Sequence, residues 1–347
     1  MSKSGPLDEN GNLKVDGLEQ MYRFRLPRSF RYAGYIWPGV TVSVERMEYL
    51  NNFEFRPSDI IILSYPKSGT TWVSEIVSQL CHSEKAKARP LHERVPWLEM
   101  ESSYIWVRFY WFWHMVTKVL RLRSSEGDEK MEIEPRMWFS HLPLELMPKP
   151  VIEGKCKVVY VCRNPKDTAV SYYHFHRMAR FLGQQDIAWD DFFPLYTSGN
   201  SMQMKFVKSP PPKGDPISVY CGSWFEHVTS YWKLSKLNPN MLFLKYEDMQ
   251  LDLRSQIQRL INFLDVDPTS EMIENVIQMV QFSTMKSNRK SNREGVWLFN
   301  QNVSEFIRKG EVGDWKNYFT VAQSETFDKI YEYRMKSTGI DFDFEMN

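Results

Sequence analysis

Residues 61–75 read IILSYPKSGTTWVSE, and the rest of the chain is best understood outward from them. The apolar run Ile60-Ile61-Ile62-Leu63 has the length and β-branching of a buried strand. It gives way to the small-residue loop Ser64–Thr71, after which Trp72, Ile76, Val77 and Leu80 recur with helical spacing. Strand, loop and helix in that order aim loop N–H groups and the positive end of a helix dipole at one point, which is an anion cradle. Gly69 allows close backbone approach, Lys67 adds a charge, and the loop hydroxyls add donors. The ATP loop GxxxxGK[ST] is excluded, because Lys67 precedes its glycine. Alone, the stretch is also compatible with an ordinary strand–turn–helix carrying a surface lysine.

The chain has 347 residues, enough for one large domain or two small ones, and no linker composition divides it. With 44 Lys and Arg against 43 Asp and Glu, a nucleic-acid partner held by bulk charge is not expected. Aromatic residues reach 15%, which suggests an apolar cavity as well as a core. Cys81, Cys156, Cys162 and Cys221 form no CxxC pair, and no His/Cys spacing suits a metal, so no metal and a reducing, cytoplasmic location are expected. Residues 1–30 read as a flexible tail without a signal-peptide core, and 31–347 as a single domain. Residues 104–122 are aromatic but interrupted by Arg108, His114, Lys118 and Arg121, so no stable membrane insertion is expected.

A second buried strand is read at Val158–Val161, opening into a helix capped by Asn164 with Pro165 at its first position. A third is read at Met241–Tyr246, with helices at 70–83, 223–236, 252–264, 270–281 and 321–336. The expected fold is α/β: a single domain with a central parallel β-sheet flanked by helices and a P-loop-like anion-binding loop. Ligands then bind beyond the carboxyl ends of the strands. Three features converge there: the Lys67 loop, Arg163 with Ser171, and Phe306-Ile307-Arg308-Lys309-Gly310. Parts for two anion cradles imply a ligand with two separated anionic groups.

YPKSGTTW at 65–72, RNPKDTAVSYYHF at 163–175 and RKGEVGDWKNYF at 308–319 resemble the signature segments of the cytosolic sulfotransferases, in the right order over roughly residues 45–335. The resemblance implies sulfuryl transfer from 3′-phosphoadenosine 5′-phosphosulfate (PAPS) to a hydroxyl or amine, with 3′-phosphoadenosine 5′-phosphate (PAP) as product. It implies that Lys67, Ser68, Gly69, Thr70, Thr71 and Trp72 hold the 5′-phosphosulfate. Arg163, Ser171, Arg308, Lys309 and Gly310 hold the 3′-phosphate. Trp72 and Phe282 sandwich the adenine, with Tyr246, Met285 and Phe306 nearby. Among seven histidines, His141 stands in SHLP, similar to the family's THLP, and is implied as the general base. Lys67 and Ser171 complete the catalytic set, Ser171 interacting with Lys67 before acceptor arrives. His174 and His176 are read as helix surface or core.

Two departures from the family pattern concern the acceptor. Phe139 stands where the family carries a lysine, and the segment near 100–135 is longer than usual. Residues 104–135 are expected to be a lid whose Trp106 and Trp111, with Phe139 and His141, face a small hydrophobic acceptor such as a phenol, steroid or isoprenoid alcohol. Lys316, Thr320, Val321 and Glu325 match the family's KxxxTVxxxE segment and imply a homodimer. Competing readings are a P-loop phosphotransferase, a dehydratase working through transient sulfation, and a catalytically weak binder of apolar ligands.

Overall fold

Side chains alternate across a strand, so four consecutive apolar residues are stable only where both faces of the sheet are covered. Ile60, Ile61, Ile62 and Leu63 are all buried in the computed structural model, which describes residues 29–100, 133–198 and 219–346. A hairpin comes first, β1 (Ser29–Tyr32) and β2 (Tyr35–Pro38), antiparallel. Then follow β3 (Ile60–Leu63), β4 (Met137–Ser140), β5 (Lys157–Cys162) and β6 (Met241–Lys245). These four form one parallel sheet in the order β4-β3-β5-β6, with Ile61 opposite both Trp138 and Val158.

The alternation divides the core in two. Ile61, Leu63, Val158 and Tyr160 pack with Val170, Trp224, Val228, Phe327 and Ile330 from the helices Pro165–Met178, Trp224–Ser235 and Val321–Met335. Ile60, Ile62, Val159 and Val161 pack on the other face with Val73, Ile76, Val77, Ile257, Ile261 and Val276 from Thr70–Cys81, Leu253–Leu264 and Ser270–Met279. The parallel sheet covered on both faces is the expected architecture.

Three local readings change. β1 begins inside the segment read as tail, at Ser29. β4 joins the sheet at Met137–Ser140, where the sequence pattern assigns no strand. The helix expected over 270–281 ends at Met279, where Gln281 turns extended and the Val280 carbonyl accepts from Trp72 Nε1 at 2.9 Å, and a separate short helix, Phe282–Ser287, follows.

Candidate active site at the carboxyl edge

Every strand of the parallel sheet delivers a residue to one edge. Ser64 follows β3, His141 follows β4, Arg163 follows β5 and Tyr246 follows β6. A cavity of about 390 Å3 opens there. Of the expected donor residues it is lined by Lys67, Gly69, Thr70, Thr71, Trp72, Arg163, Ser171, Tyr246, Phe282, Met285, Phe306, Arg308, Lys309 and Gly310. Ser68 is fully buried and does not line it. Phe139 and His141 line the same cavity, whereas Trp106, Trp111 and the rest of 104–122 lie outside the described residues.

The loop after β3 is held in an uncommon backbone form. Lys67 has φ of 70° and Gly69 φ of 107°, both left-handed. A β-carbon at Gly69 would also stand 2.9 Å from the Tyr246 ring, so glycine is required twice over. Ser64 Oγ and Thr70 Oγ1 meet at 2.5 Å and close the loop on itself. Lys67 Nζ lies over the rings of Phe306 (4.6 Å) and Phe175 (4.9 Å). Burial, reinforced by the guanidinium groups of Arg293, Arg163 and Arg308, pulls its pKa down to about 7. Ser171 lines the same cavity as Lys67.

The second pole is assembled across about 150 residues of chain. Asn164 caps its helix through Asp167 N at 2.8 Å. The Asp167 carboxylate in turn accepts from Gly313 N (2.8 Å) and Trp315 N (2.9 Å). This ties the 308–315 segment to the end of β5. Arg163 stacks on Tyr246 at 4.5 Å and donates to the Glu311 carbonyl, while its Nε is buried without a partner among the described residues. Arg308 and Lys309 both pair with Asp314. Burial alone would raise the Asp314 pKa, but hydrogen bonds from Lys309 and Arg308 prevail and hold it at about 2. Gly310 has φ of 69° and packs against Phe282. Trp72 and Tyr246 meet edge to face at 5.3 Å.

His141 is fixed at three points. Its Nδ1–H donates to the Ser64 carbonyl at 2.8 Å, which leaves Nε2 as the basic atom. Its backbone N–H donates to Glu99 Oε1 at 2.8 Å, and its carbonyl meets His227 Nε2 at 3.3 Å. Burial, with repulsion from Lys67 and Arg293, lowers its pKa to about 4, against the opposing effect of Ser64, so it is neutral near pH 7. His227 is occupied at both nitrogens, the other bonding Tyr160. His176 is core, as expected, but His174 is not merely surface: it lines the cavity and bonds Tyr318 at 2.7 Å.

Sequence reasoning missed Glu99, Asp314 and Arg293. Arg293 lines the cavity with its guanidinium 5.6 Å from the Phe139 ring and 5.3 Å from that of Phe306. The 286–306 tract, polar and Asn-rich in sequence, is a pinned loop. Ser291 Oγ bonds Glu75 at 3.0 Å, the Lys290 carbonyl accepts from Leu91 N, and Asn292 Nδ2 bonds the Lys286 carbonyl at 2.8 Å. Glu75 is itself in a buried ion pair with Arg94 at 2.9 Å.

A cavity with a lysine-bearing loop at one pole, three further cations at the other and aromatic rings near both is built for a nucleotide with two anionic groups. The sulfotransferase domain model matches residues 57–339, and the chain belongs to that family. It is 37% identical to human sulfotransferase 1E1 over 316 residues, 89% of this chain and 95% of that one. Bovine sulfotransferase 1E1 is 36% identical, covering 86% and 90%, and zebrafish cytosolic sulfotransferase 1 is 36% identical, covering 87% and 91%. Mouse sulfotransferase SULT7A1, solved with PAP, superposes with a TM-score of 0.63 at 28% identity, covering 90% of this chain and 96% of that one. Retinol dehydratase, solved with retinol and PAP, shares the fold with a TM-score of 0.67 at 23% identity, covering 95% and 97%. The protein is a PAPS-dependent sulfotransferase, with PAP as the product. No helix among the described residues is long and apolar enough to cross a membrane.

Proposed function

We propose that this enzyme sulfates a hydroxyl of a small hydrophobic acceptor, with His141 as general base. The observation that carries the reading is that one cavity is lined both by the cations of the two-pole site and by His141 with a set of apolar rings. Trp97, Phe139, Phe175, Phe181, Tyr220 and Phe299 supply those rings. An aromatic wall with few polar groups favours a phenol, steroid or isoprenoid alcohol.

The donor supplies the sulfuryl group, which passes to the acceptor oxygen as the bridging S–O bond breaks. The residues then divide the work. Lys67, Thr70 and Thr71 meet the phosphosulfate end, Lys67 facing the charge that develops on the leaving phosphate. Arg163, Ser171, Arg308 and Lys309 meet the 3′-phosphate, which competes with Asp314 for the last two cations. Trp72, Phe282 and Tyr246 offer ring faces and edges to the adenine. His141 takes the acceptor proton on Nε2, because its Nδ1–H is committed to Ser64.

The chain from β1 onward acts as one catalytic unit in this reading, with 104–135 as acceptor lid. Exposure of Lys316, Thr320, Val321 and Glu325 on the surface supports a homodimer through that segment. Four free cysteines support a reducing, cytoplasmic setting. The test is labelled PAPS with a panel of phenols, steroids, retinoids and amines, scored by product mass. Transfer to hydrophobic alcohols is expected, and His141→Ala should lose at least about a hundredfold in turnover while still binding PAP. Preference for polar amines, product without the added sulfuryl mass, or normal turnover of His141→Ala would overturn it.

A further inference from the structure

A sulfuryl group passing between two oxygens spreads negative charge over three outer oxygens, and Lys67 approaches it from the donor side only. On the acceptor side, β4 presents Phe139, which carries no charge. Arg293 reaches this gap from a distant loop. Its guanidinium sits between the Phe139 and Phe306 rings, and the Phe306 ring is also the one that Lys67 Nζ lies over at 4.6 Å. The Phe139 ring is 5.6 Å from the His141 ring. Arg293 therefore stands at the junction of the donor and acceptor compartments, near the base and near the loop lysine.

Its surroundings suit an anion. Among the described residues the Arg293 side chain has no ion-pair or hydrogen-bond partner, and it is half-buried in the cavity wall. Five N–H donors in a half-buried site call for acceptors. The backbone is preset as well. Arg293 has φ of 56°, a left-handed form that is strained in an L residue. The bonds of Ser291, Lys290 and Asn292 to the body of the domain hold that form in place.

We propose that Arg293 binds the transferring sulfuryl group from the acceptor side, supplying from the 288–300 loop the positive charge that β4 lacks at Phe139. The inference rests on the cavity being the site of sulfuryl transfer. The group it would touch is the one chemical difference between PAPS and PAP, so the two nucleotides isolate it. In the wild-type full chain both should bind. In Arg293→Gln, PAP affinity should change less than threefold while PAPS affinity falls at least tenfold. Single-turnover transfer to 4-nitrophenol should fall further than PAPS affinity does. Adding Phe139→Lys to Arg293→Gln should restore at least tenfold of the lost PAPS affinity by returning a cation to the same gap. Thermal melts confirm folding; if Arg293→Gln does not melt cooperatively, Arg293→Lys decides, with a smaller contrast of two- to fivefold. An unchanged PAPS-to-PAP ratio would overturn the proposal, as would equal losses for both nucleotides. Failure of PAP to bind the wild type would instead remove the reading of the cavity itself.

Discussion

Gly310→Ala tests how the adenine end of the site is built. A β-carbon at position 310 would lie 2.4 Å from Cδ2 and 2.8 Å from Cε2 of Phe282, well inside contact distance. The φ of 69° adds about 1 kcal/mol of left-handed strain. Phe282 is 37% exposed, so its ring can swing into solvent and relieve the clash without opening the core. The stability loss should therefore stay near the strain alone, about 1 kcal/mol, or roughly 2 °C or less in Tm for a chain of this size. Nucleotide binding should suffer more, because the displaced ring no longer meets the base. Stacking of an aromatic ring on a base is worth about 1–3 kcal/mol, so PAP affinity should fall about 5- to 150-fold. The assay is titration of Trp72 fluorescence or heat of binding, with Tm measured alongside. Phe282→Ala provides the control: Gly310→Ala placed on top of it should cost little further affinity, since both changes remove the same ring. PAP affinity unchanged in Gly310→Ala, or full additivity in the double variant, would refute the reasoning.

Three other outcomes are expected. Turnover should be flat near neutral pH and fall between about pH 6 and 4, since His141 works only when neutral and burial lowers its pKa; a pH–rate profile already lost at pH 6.5 would contradict this. Arg94→Met leaves Glu75 charged and buried, costing about 3–5 kcal/mol and on the order of 10 °C in Tm, whereas pairing it with Glu75→Leu should recover most of the loss in a thermal melt. Val321 is 76% exposed, and light scattering should report twice the chain mass for wild type and a monomer for Val321→Arg; a concentration-independent wild-type monomer would refute the dimer.

The legible parts of the sequence are those in which local pattern and tertiary demand coincide. Strands β3 and β5 lie inside a sheet covered on both sides, so burial writes apolar residues at nearly every position, and β6, at one edge, keeps the apolar run Met241–Leu244. β4 is an edge strand whose Trp138 and Phe139 are half-buried, and MWFS between polar residues carries no period to read. The β1–β2 turn uses Ala33 and Gly34, both with positive φ, without the Asn or Asp that marks such hairpins. Arg293 is illegible for a different reason. Its position depends on Ser291 meeting a glutamate more than two hundred residues earlier, and the asparagines around it signal only turns. Lys67 and His141 stand in motifs; the guanidinium beside them has no local signature.

The lysine lying over Phe306 and Phe175 also makes this a protein whose charge state is set by its own ligand. With burial and three neighbouring guanidinium groups pulling its pKa down to about 7, Lys67 is only partly protonated in the free protein near neutral pH. A polyanion entering the cavity reverses the sign of its surroundings, offsetting the repulsion from Arg293, Arg163 and Arg308. The proton equilibrium then shifts toward the ammonium form. Donor binding should accordingly take up a fraction of a proton from buffer, and its measured heat should vary with the buffer's ionisation enthalpy. The charge facing the leaving phosphate is thus partly drawn from solvent when the nucleotide arrives.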